Sequence, residues 1–175
     1  MKTIVYILYL VTFVISANSY SQELLQVCDK KIEASTPLVN FTINTDGTIT
    51  DNTTQLMWMR CTFGQGYKDD SCIGSPAKFY WNEALETAEQ FEYANYTDWR
   101  LPNIKELVTI IEDRCTSPVV NLDIFPDTGS WVYWSSTVKS NTANSVFHLY
   151  LSSGDMWYDP AYYVPYSMRL VRYAE

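Results

Sequence analysis

The stretch 98-DWRLPNIKEL-107 decides the fold, because it contains the clearest start of a helix in the chain. Pro102 closes the preceding segment, and Asn103 with Glu106 three residues later forms a capping-box pattern. In this pattern each side chain accepts a hydrogen bond from a backbone N–H group that the helix leaves unpaired. We therefore predict a helix that starts after Asn103 and ends near Asp113, with a buried stripe of Leu107, Ile110 and Ile111.

Another helix is predicted upstream, from Trp81 to Tyr93. Apolar residues recur there at helical spacing while glutamates occupy the other faces. Asn82 is expected to cap its start. The apolar positions of this helix are Ala84, Leu85, Ala88 and Phe91.

Strands are predicted on both sides of the two helices. Asp46-Gly47 provides a tight turn with positive φ angles between strands at 41–44 and 48–50, and the apolar stretch 55–60 follows as another strand. The last third of the chain is rich in aromatic and β-branched residues. Strands are expected there at 131–137, 145–151, 156–158 and 167–173. This order predicts an α+β fold whose helices cover one face of an antiparallel sheet.

The amino terminus has the three parts of a secretory signal peptide. Lys2 precedes an apolar run at 4–15, which is shorter than the ~20 residues of a membrane-spanning helix, and small polar residues follow. We expect residues 1–21 to be cleaved after Ser19 or Ser21, residues 22–37 to form a leader, and residues 38–175 to form one domain. The protein is then secreted, at the cell surface or periplasmic. An uncleaved membrane anchor is the alternative.

The charge of the chain argues against two classes of partner. It has 12 basic and 20 acidic side chains, a formal net charge of −8. An acidic domain repels phosphate backbones and anionic lipid, and no basic run interrupts the acidity. We therefore expect neither nucleic acid nor a membrane surface as a partner. Separately, no membrane span is expected after signal cleavage.

Four cysteines lie after the predicted signal peptide, and an even number in an exported chain indicates disulfides. Four cysteines allow three pairings. Zinc is the competing interpretation, but no C-x-x-C spacing occurs and the only histidine, His148, is far from every cysteine along the chain. No metal and no cofactor are predicted. The cysteines are Cys28, Cys61, Cys72 and Cys115.

Groups that support catalysis are scarce in this sequence. A Ser/His/Asp triad would need His148 together with Ser135 or Ser136, and no G-x-S-x-G motif surrounds these serines. Carboxylate pairs such as Asp69-Asp70 resemble glycosidase residues, but any solvated loop contains such pairs. The chain is therefore not expected to be an enzyme.

Eight blocks of sequence, in their order along the chain, resemble the Lcl C-terminal domain family. This bacterial domain was first recognised at the end of a collagen-like adhesin. The resemblance extends from about Phe41 to Tyr173. The blocks are 46-DGT-48, 51-DNTTQLMWMRC-61, 72-CIG-74, 81-WNEAL-85, 98-DWRLPNIKEL-107, 125-FP-126, 134-WSS-136 and 169-RLVR-172.

The resemblance implies a C-type-lectin-like fold, in which two helices flank an antiparallel sheet and the last strands and loops display the ligand surface. The adhesin relative binds sulfated polysaccharides, which the acidity of this chain disfavours. The related formylglycine-generating enzymes carry active cysteines late in the chain. No cysteine follows Cys115 here, so their oxidase activity is not expected.

The ligand surface is predicted between Thr137 and Tyr166. Tyrosine and tryptophan offer broad contact area with little side-chain entropy to lose, while amides and carboxylates offer adaptable hydrogen bonds. The predicted ligand-binding residues are Asn144, His148, Tyr150, Asp155, Trp157, Tyr158, Tyr162 and Tyr163. Residues of the family blocks are predicted to be structural, namely Trp58, Trp81, Asp98, Trp99, Arg100, Trp134, Arg169 and Arg172.

Two disulfides are predicted, Cys61–Cys72 and Cys28–Cys115. The first closes a short loop in which glycines allow the chain to bend. The second ties the leader to the end of the second helix.

The sequence thus predicts an exported, non-catalytic recognition or adhesion module for a glycan or a protein ligand. A hydrolase or oxidase-like enzyme that uses the same groove is the alternative, and a structural envelope component is a third hypothesis. The enzyme would be favoured if His148 lay beside a carboxylate and a hydroxyl in a concave pocket.

Overall fold

A computed structural model of the protein describes residues 26–140, 142 and 144–174. The predicted signal peptide and residues 22–25 of the predicted leader lie outside the described residues. Within the described ranges, no helix combines the length and the apolar character that crossing a bilayer requires.

Two α-helices and eleven short strands make up the described chain, with a 3-10 turn at Leu38–Asn40. The helices are α1 (Trp81–Glu89) and α2 (Ile104–Val108). The strands are β1 (Val27–Cys28), β2 (Phe41–Ile43), β3 (Thr48–Asp51), β4 (Leu56–Met59), β5 (Gly66–Lys68), β6 (Ser71–Ile73), β7 (Cys115–Thr116), β8 (Val132–Val138), β9 (Ser145–Tyr150), β10 (Met156–Pro160) and β11 (Val171–Tyr173).

The strands form two main antiparallel sheets rather than the single sheet predicted. One has the order β11-β4-β3-β2 and the other the order β10-β9-β8, and two further pairs join β1 to β7 and β5 to β6. A parallel bridge between Tyr133 and Ser167 places the segment before β11 beside β8. The protein is therefore a mixed domain with mostly antiparallel sheets and two helices, which agrees with the α+β class.

The core has two parts, and β8 contributes to both of them. Tyr133 belongs to the part that contains Leu107 of α2, whereas Trp134 belongs to the part that contains Ala84 of α1. Successive strand residues point to opposite faces, so a strand with neighbouring apolar residues is buried on both sides. The prediction that both helices cover one face is therefore wrong.

Helix α2 confirms the predicted capping box. The Asn103 side chain accepts a hydrogen bond from the Glu106 N–H at 3.0 Å, and the Glu106 carboxylate accepts one from the Asn103 N–H at 2.8 Å. The helix ends at Val108, well before Asp113. It stops early because the Thr109 hydroxyl and N–H both donate to the Glu106 carbonyl oxygen.

Helix α1 starts at Trp81 as predicted, but its predicted cap and its predicted end at Tyr93 are wrong. The helix begins at Trp81 after Tyr80, because the Glu83 carboxylate accepts a hydrogen bond from the Tyr80 N–H at 3.0 Å. Asn82 therefore lies inside the first turn and is not the cap. The helix ends at Glu89, and Phe91 folds back so that its ring contacts Phe63.

Three of the late strands lie where the sequence placed them, with each end within two residues of the prediction. The last strand is shorter than predicted and covers only 171–173. The backbone of residues 167–170 bonds to separate segments instead of one continuous partner strand, since the Ser167 carbonyl oxygen accepts from Trp134 and the Met168 carbonyl oxygen accepts from Phe63. The pairs β1–β7 and β5–β6 were not predicted, because two- and three-residue strands carry too few side chains for a recognisable period.

The structure joins Cys28 to Cys115 and Cys61 to Cys72, which is the predicted pairing. The segment beside the longer bridge is also held by a buried carboxylate. Glu112 accepts hydrogen bonds from the N–H groups of Ser35 and Thr36 and from the Thr36 hydroxyl. Residues 26–36 are therefore packed against the domain rather than extended away from it.

Candidate functional site

Strand β10 and the turn after it expose a group of aromatic side chains. Trp157 is 58% exposed, Tyr158 37%, and Tyr162 and Tyr163 are each 69% exposed. We call these four residues the aromatic edge, because β10 lies at one edge of the three-stranded sheet. All four were predicted from the sequence as ligand-binding residues.

Neighbouring groups fix the orientation of the rings on β10. The Trp157 and Tyr158 rings stack at 6.1 Å between centroids with an interplanar angle of 10°. The Lys139 ammonium lies 3.0 Å from the centroid of the Tyr158 ring, and the Phe147 ring contacts the same ring edge-on. Rings held in this way lose little freedom when a ligand binds.

His148, which was predicted as a ligand-binding residue, is fully buried. Its ring packs among those of Trp134, Tyr150 and Tyr166, at 4.9 to 5.7 Å between centroids. The strand alternation of β9 turns His148 towards the side of the sheet on which Trp134 lies. The prediction is therefore corrected, and His148 belongs to the support beneath the surface.

A carboxylate and a hydroxyl do lie close to His148. The Asp159 carboxylate is 3.8 Å from Nε2 of His148, and it accepts a hydrogen bond of 2.6 Å from the Tyr166 hydroxyl. Neither nitrogen of His148 has a hydrogen-bond partner among the described residues. Burial lowers the pKa of His148 and outweighs the opposing attraction of Asp159. The imidazole is therefore uncharged at neutral pH and has no access to a substrate in solvent.

The remaining predicted ligand residues surround the aromatic edge. Asn144 is exposed just before β9, with a left-handed φ of 57°. Asp155 is exposed just before β10 and accepts a hydrogen bond from the Ser153 hydroxyl at 2.7 Å. Tyr150 is half-buried against His148 and presents less surface than the other rings.

The tryptophans predicted to be structural are buried or anchored. Trp58, Trp99 and Trp134 are at most 2% exposed. The indole N–H of Trp134 donates to the Phe79 carbonyl oxygen at 2.8 Å, and that of Trp99 donates to the Tyr93 carbonyl oxygen at 3.0 Å. Half-buried Trp81 donates to the Ser135 carbonyl oxygen at 2.9 Å, which leaves part of its ring accessible.

Two of the structural arginines pair with carboxylates. Arg100 binds both oxygens of Glu106 at 2.8 Å. Arg172 donates to Asp98 at 2.7 Å and lies 3.8 Å from the centroid of the Tyr96 ring. These contacts join residues 96–100 to α2 and to β11.

Arg169 has a different environment, because no carboxylate pairs with it among the described residues. The side chain is fully buried and donates to the carbonyl oxygens of Met59 and Arg60 and to the Thr128 hydroxyl. Its guanidinium carbon lies 4.6 Å from the centroid of the Phe125 ring. This arginine therefore links β4 to the segment before β11 and is inaccessible to a ligand.

A cleft beside the aromatic edge was not predicted from the sequence. It has a volume of about 240 Å³ and lies between the start of α1 and the residues that flank β9 and β10. No local pattern indicates it, because its residues come from distant parts of the chain. They are Trp81, Asn82, Val138, Asn144, Val146, Ala161 and Tyr162.

The described part of the chain contains no group of three or more histidine, cysteine, aspartate or glutamate side chains that could hold a metal ion. Among the described residues every cysteine forms a disulfide, so no free thiol is present there.

These features define a disulfide-linked α+β domain with an exposed aromatic edge and an adjoining cleft. The chain belongs to the Lcl C-terminal domain family, whose family model matches residues 47–172. This match confirms the resemblance drawn from the sequence blocks. Neither the curated proteins nor the solved structures include a match to this chain.

Acid should destabilise the domain in two stages. Burial lowers the pKa of His148 below its ordinary 6.5. Burial alone would raise the pKa of Glu112, but hydrogen bonds from Thr36, Ser35 and Arg114 lower it below 4.5 overall. Each group therefore has a lower pKa in the folded domain than in the unfolded chain, so the unfolded chain binds protons more readily. The stabilisation is present above the pKa of the group in the unfolded chain, and it is lost as the pH falls through the pKa of the group in the folded domain.

We therefore expect the free energy of unfolding in urea to decrease below pH 6.5 and to decrease further below pH 4.5. The variant His148→Gln should flatten the first stage, and Glu112→Gln should flatten the second. A profile that stays level on acidification, or rises, would contradict these pKa directions.

Proposed function

We propose that this protein is an exported, non-catalytic recognition module that binds a glycan or a protein ligand at the cell exterior through its aromatic edge. The C-type-lectin-like fold and the secreted, cell-surface or periplasmic location are parts of the same proposal. Two disulfides in a domain of this size support an oxidising, extracytoplasmic compartment.

The exposure of the aromatic edge is the observation that carries the proposal. Three tryptophans of this chain are buried in the core, whereas Trp157 is 58% exposed beside three exposed tyrosines. Exposed clusters of large apolar side chains cost free energy in water and usually mark an interaction surface. Tryptophan and tyrosine are also the residues that most often dominate binding energy at interfaces.

A hydrolase or oxidase-like enzyme that uses the same groove is less well supported. His148, Asp159 and Tyr166 come together, but the imidazole is buried and uncharged at neutral pH. The Ser135 hydroxyl donates to the Phe147 carbonyl oxygen at 2.7 Å instead of approaching His148. Because all four cysteines form disulfides, an oxidase that needs a free thiol is disfavoured as well.

Replacement of Trp157 or Tyr163 by alanine should weaken ligand binding by about 1 to 3 kcal/mol, since each removes an exposed aromatic contact. The melting temperature should change little, because neither side chain is buried. The ligand is first identified by array screening. Affinity for this ligand and the melting temperature are then measured on the same protein samples.

The matched control is Tyr173→Ala, which removes a tyrosine that is 64% exposed on the other sheet. Its affinity should equal that of the unmodified protein. If Trp157→Ala instead unfolds the domain while affinity per folded molecule is kept, the aromatic edge is part of the core and the site has been assigned wrongly.

A further inference from the structure

The cleft beside the aromatic edge is lined by both apolar and amide groups. Buried Val146 and Ala161 form its floor, and Trp81, Val138 and Tyr162 provide further apolar surface. Asn82 and Asn144 add two side-chain amides. Among the residues that the structure describes, no charged side chain lines the cleft.

Backbone hydrogen bonds hold the walls of this cleft in place. The Trp81 N–H donates to the Ala161 carbonyl oxygen at 3.1 Å, and the Ala161 N–H donates to the Asn144 carbonyl oxygen at 2.8 Å. The Trp81 indole is fixed independently through the Ser135 carbonyl oxygen. Three distant segments are thus joined, so the cleft is formed before any ligand arrives.

The two amides are available for a ligand. Among the described residues, neither the Asn82 nor the Asn144 side chain has a hydrogen-bond partner. An amide offers both donors and an acceptor, and a sugar hydroxyl likewise donates and accepts. The negative face of an aromatic ring attracts the weakly positive C–H groups on one side of a sugar ring.

We propose that this cleft binds one uncharged sugar ring of a glycan. A charged sugar would enter a site without an opposite charge and would lose hydration that nothing replaces. The volume of about 240 Å³ is below the roughly 300 to 1,000 Å³ of clefts for drug-sized ligands, which suits a single ring. The proposal rests on the recognition function above and names its ligand class.

Side-chain amide resonances of the ¹⁵N-labelled protein provide the test. The probes are the neutral methyl glycosides of glucose, galactose, mannose and N-acetylglucosamine, each at millimolar concentration, and the charged methyl glycoside of glucuronic acid. At least one neutral glycoside should shift the side-chain N–H₂ signals of Asn82 and Asn144 in a saturable way. The glucuronide should leave both signals unchanged.

Two variants remove the amides without disturbing the backbone. Asn82→Ala lies in the first turn of α1, and Asn144→Gly suits the left-handed φ of 57°. Each should weaken neutral-glycoside binding by about tenfold, the loss expected for a hydrogen bond made in a desolvated site. The matched controls are Glu86→Ala on the same helix and Asn95→Gly, an exposed asparagine with φ of 64°, and both should bind as the unmodified protein does.

The outcomes separate this inference from the proposed function. If a ligand binds and Trp157→Ala weakens it, but no neutral glycoside shifts the Asn82 and Asn144 signals, the cleft assignment is overturned and the recognition function stands. Glycoside binding that both amide variants retain would overturn the cleft assignment in the same way. If neither the glycosides nor any array ligand binds, both proposals fail.

Discussion

Removal of the Cys28–Cys115 disulfide should lower the free energy of unfolding by about 4 to 5 kcal/mol, because the bridge closes a long loop. The two cysteines are 87 residues apart, so the crosslink removes many conformations from the unfolded chain. The double variant Cys28→Ser/Cys115→Ser is compared with the unmodified protein by urea unfolding at neutral pH.

The short bridge provides a matched comparison for this loss. Cys61 and Cys72 are 11 residues apart, and Cys61→Ser/Cys72→Ser should cost only about 3 kcal/mol. An equal or smaller loss on removal of the long bridge would show that loop closure does not determine the stabilisation. In that case the non-covalent contacts of residues 26–36, such as the β1–β7 pairing and the Glu112 hydrogen bonds, would be sufficient to hold this segment in place.

Replacement of Arg169 by alanine should lower the free energy of unfolding by about 3 to 5 kcal/mol. The change leaves the Met59 and Arg60 carbonyl oxygens and the Thr128 hydroxyl without this donor, and it opens a cavity beside Phe125. Arg169→Lys keeps the charge but not the planar fork of donors. Its decrease in the free energy of unfolding should therefore be smaller than that of Arg169→Ala but still measurable. The free energy of unfolding of the unmodified protein and of both variants is measured by urea unfolding.

Lys105→Ala is the control for the loss of a basic side chain, since this lysine is exposed on α2. It should change stability by no more than about 0.5 kcal/mol. Ligand affinity per folded molecule should be the same in Arg169→Ala as in the unmodified protein. If Arg169→Ala abolished binding at unchanged stability, the arginine would be a ligand contact and not a buried link.

Local signals in the sequence predicted local structure well. The Asn103 and Glu106 capping box is a contact between residues three apart, and it forms as expected. The late strands and the aromatic edge were found from composition, because β-branched and aromatic residues favour strands and their polar neighbours favour exposure. The family blocks were then sufficient for the assignment that the family match confirms.

The position of His148 could not be read from the sequence. Strand β9 has apolar residues on both of its faces, so Val146 and Leu149 give no polar side from which to orient the histidine. Arg169 was harder still, because full burial of a guanidinium without a carboxylate partner goes against the usual distribution of charged residues. Both positions depend on the packing of two sheets that are distant in sequence.

The cleft could not be predicted for a related reason. Trp81, Asn144 and Ala161 approach one another only through backbone hydrogen bonds between distant segments, and no spacing along the chain indicates such bonds. Trp81 was predicted to be structural, and its indole does anchor α1 to the Ser135 carbonyl oxygen. That anchoring also leaves part of its ring as a wall of the cleft.

Screening the protein purified after export against arrays of glycans and of extracellular proteins is the most direct test of the recognition function. The unmodified protein should bind at least one ligand, and the double variant Trp157→Ala/Tyr163→Ala should lose that binding at an unchanged melting temperature. If the unmodified protein binds nothing on either array, or if the double variant binds as strongly, the aromatic edge is not a ligand surface.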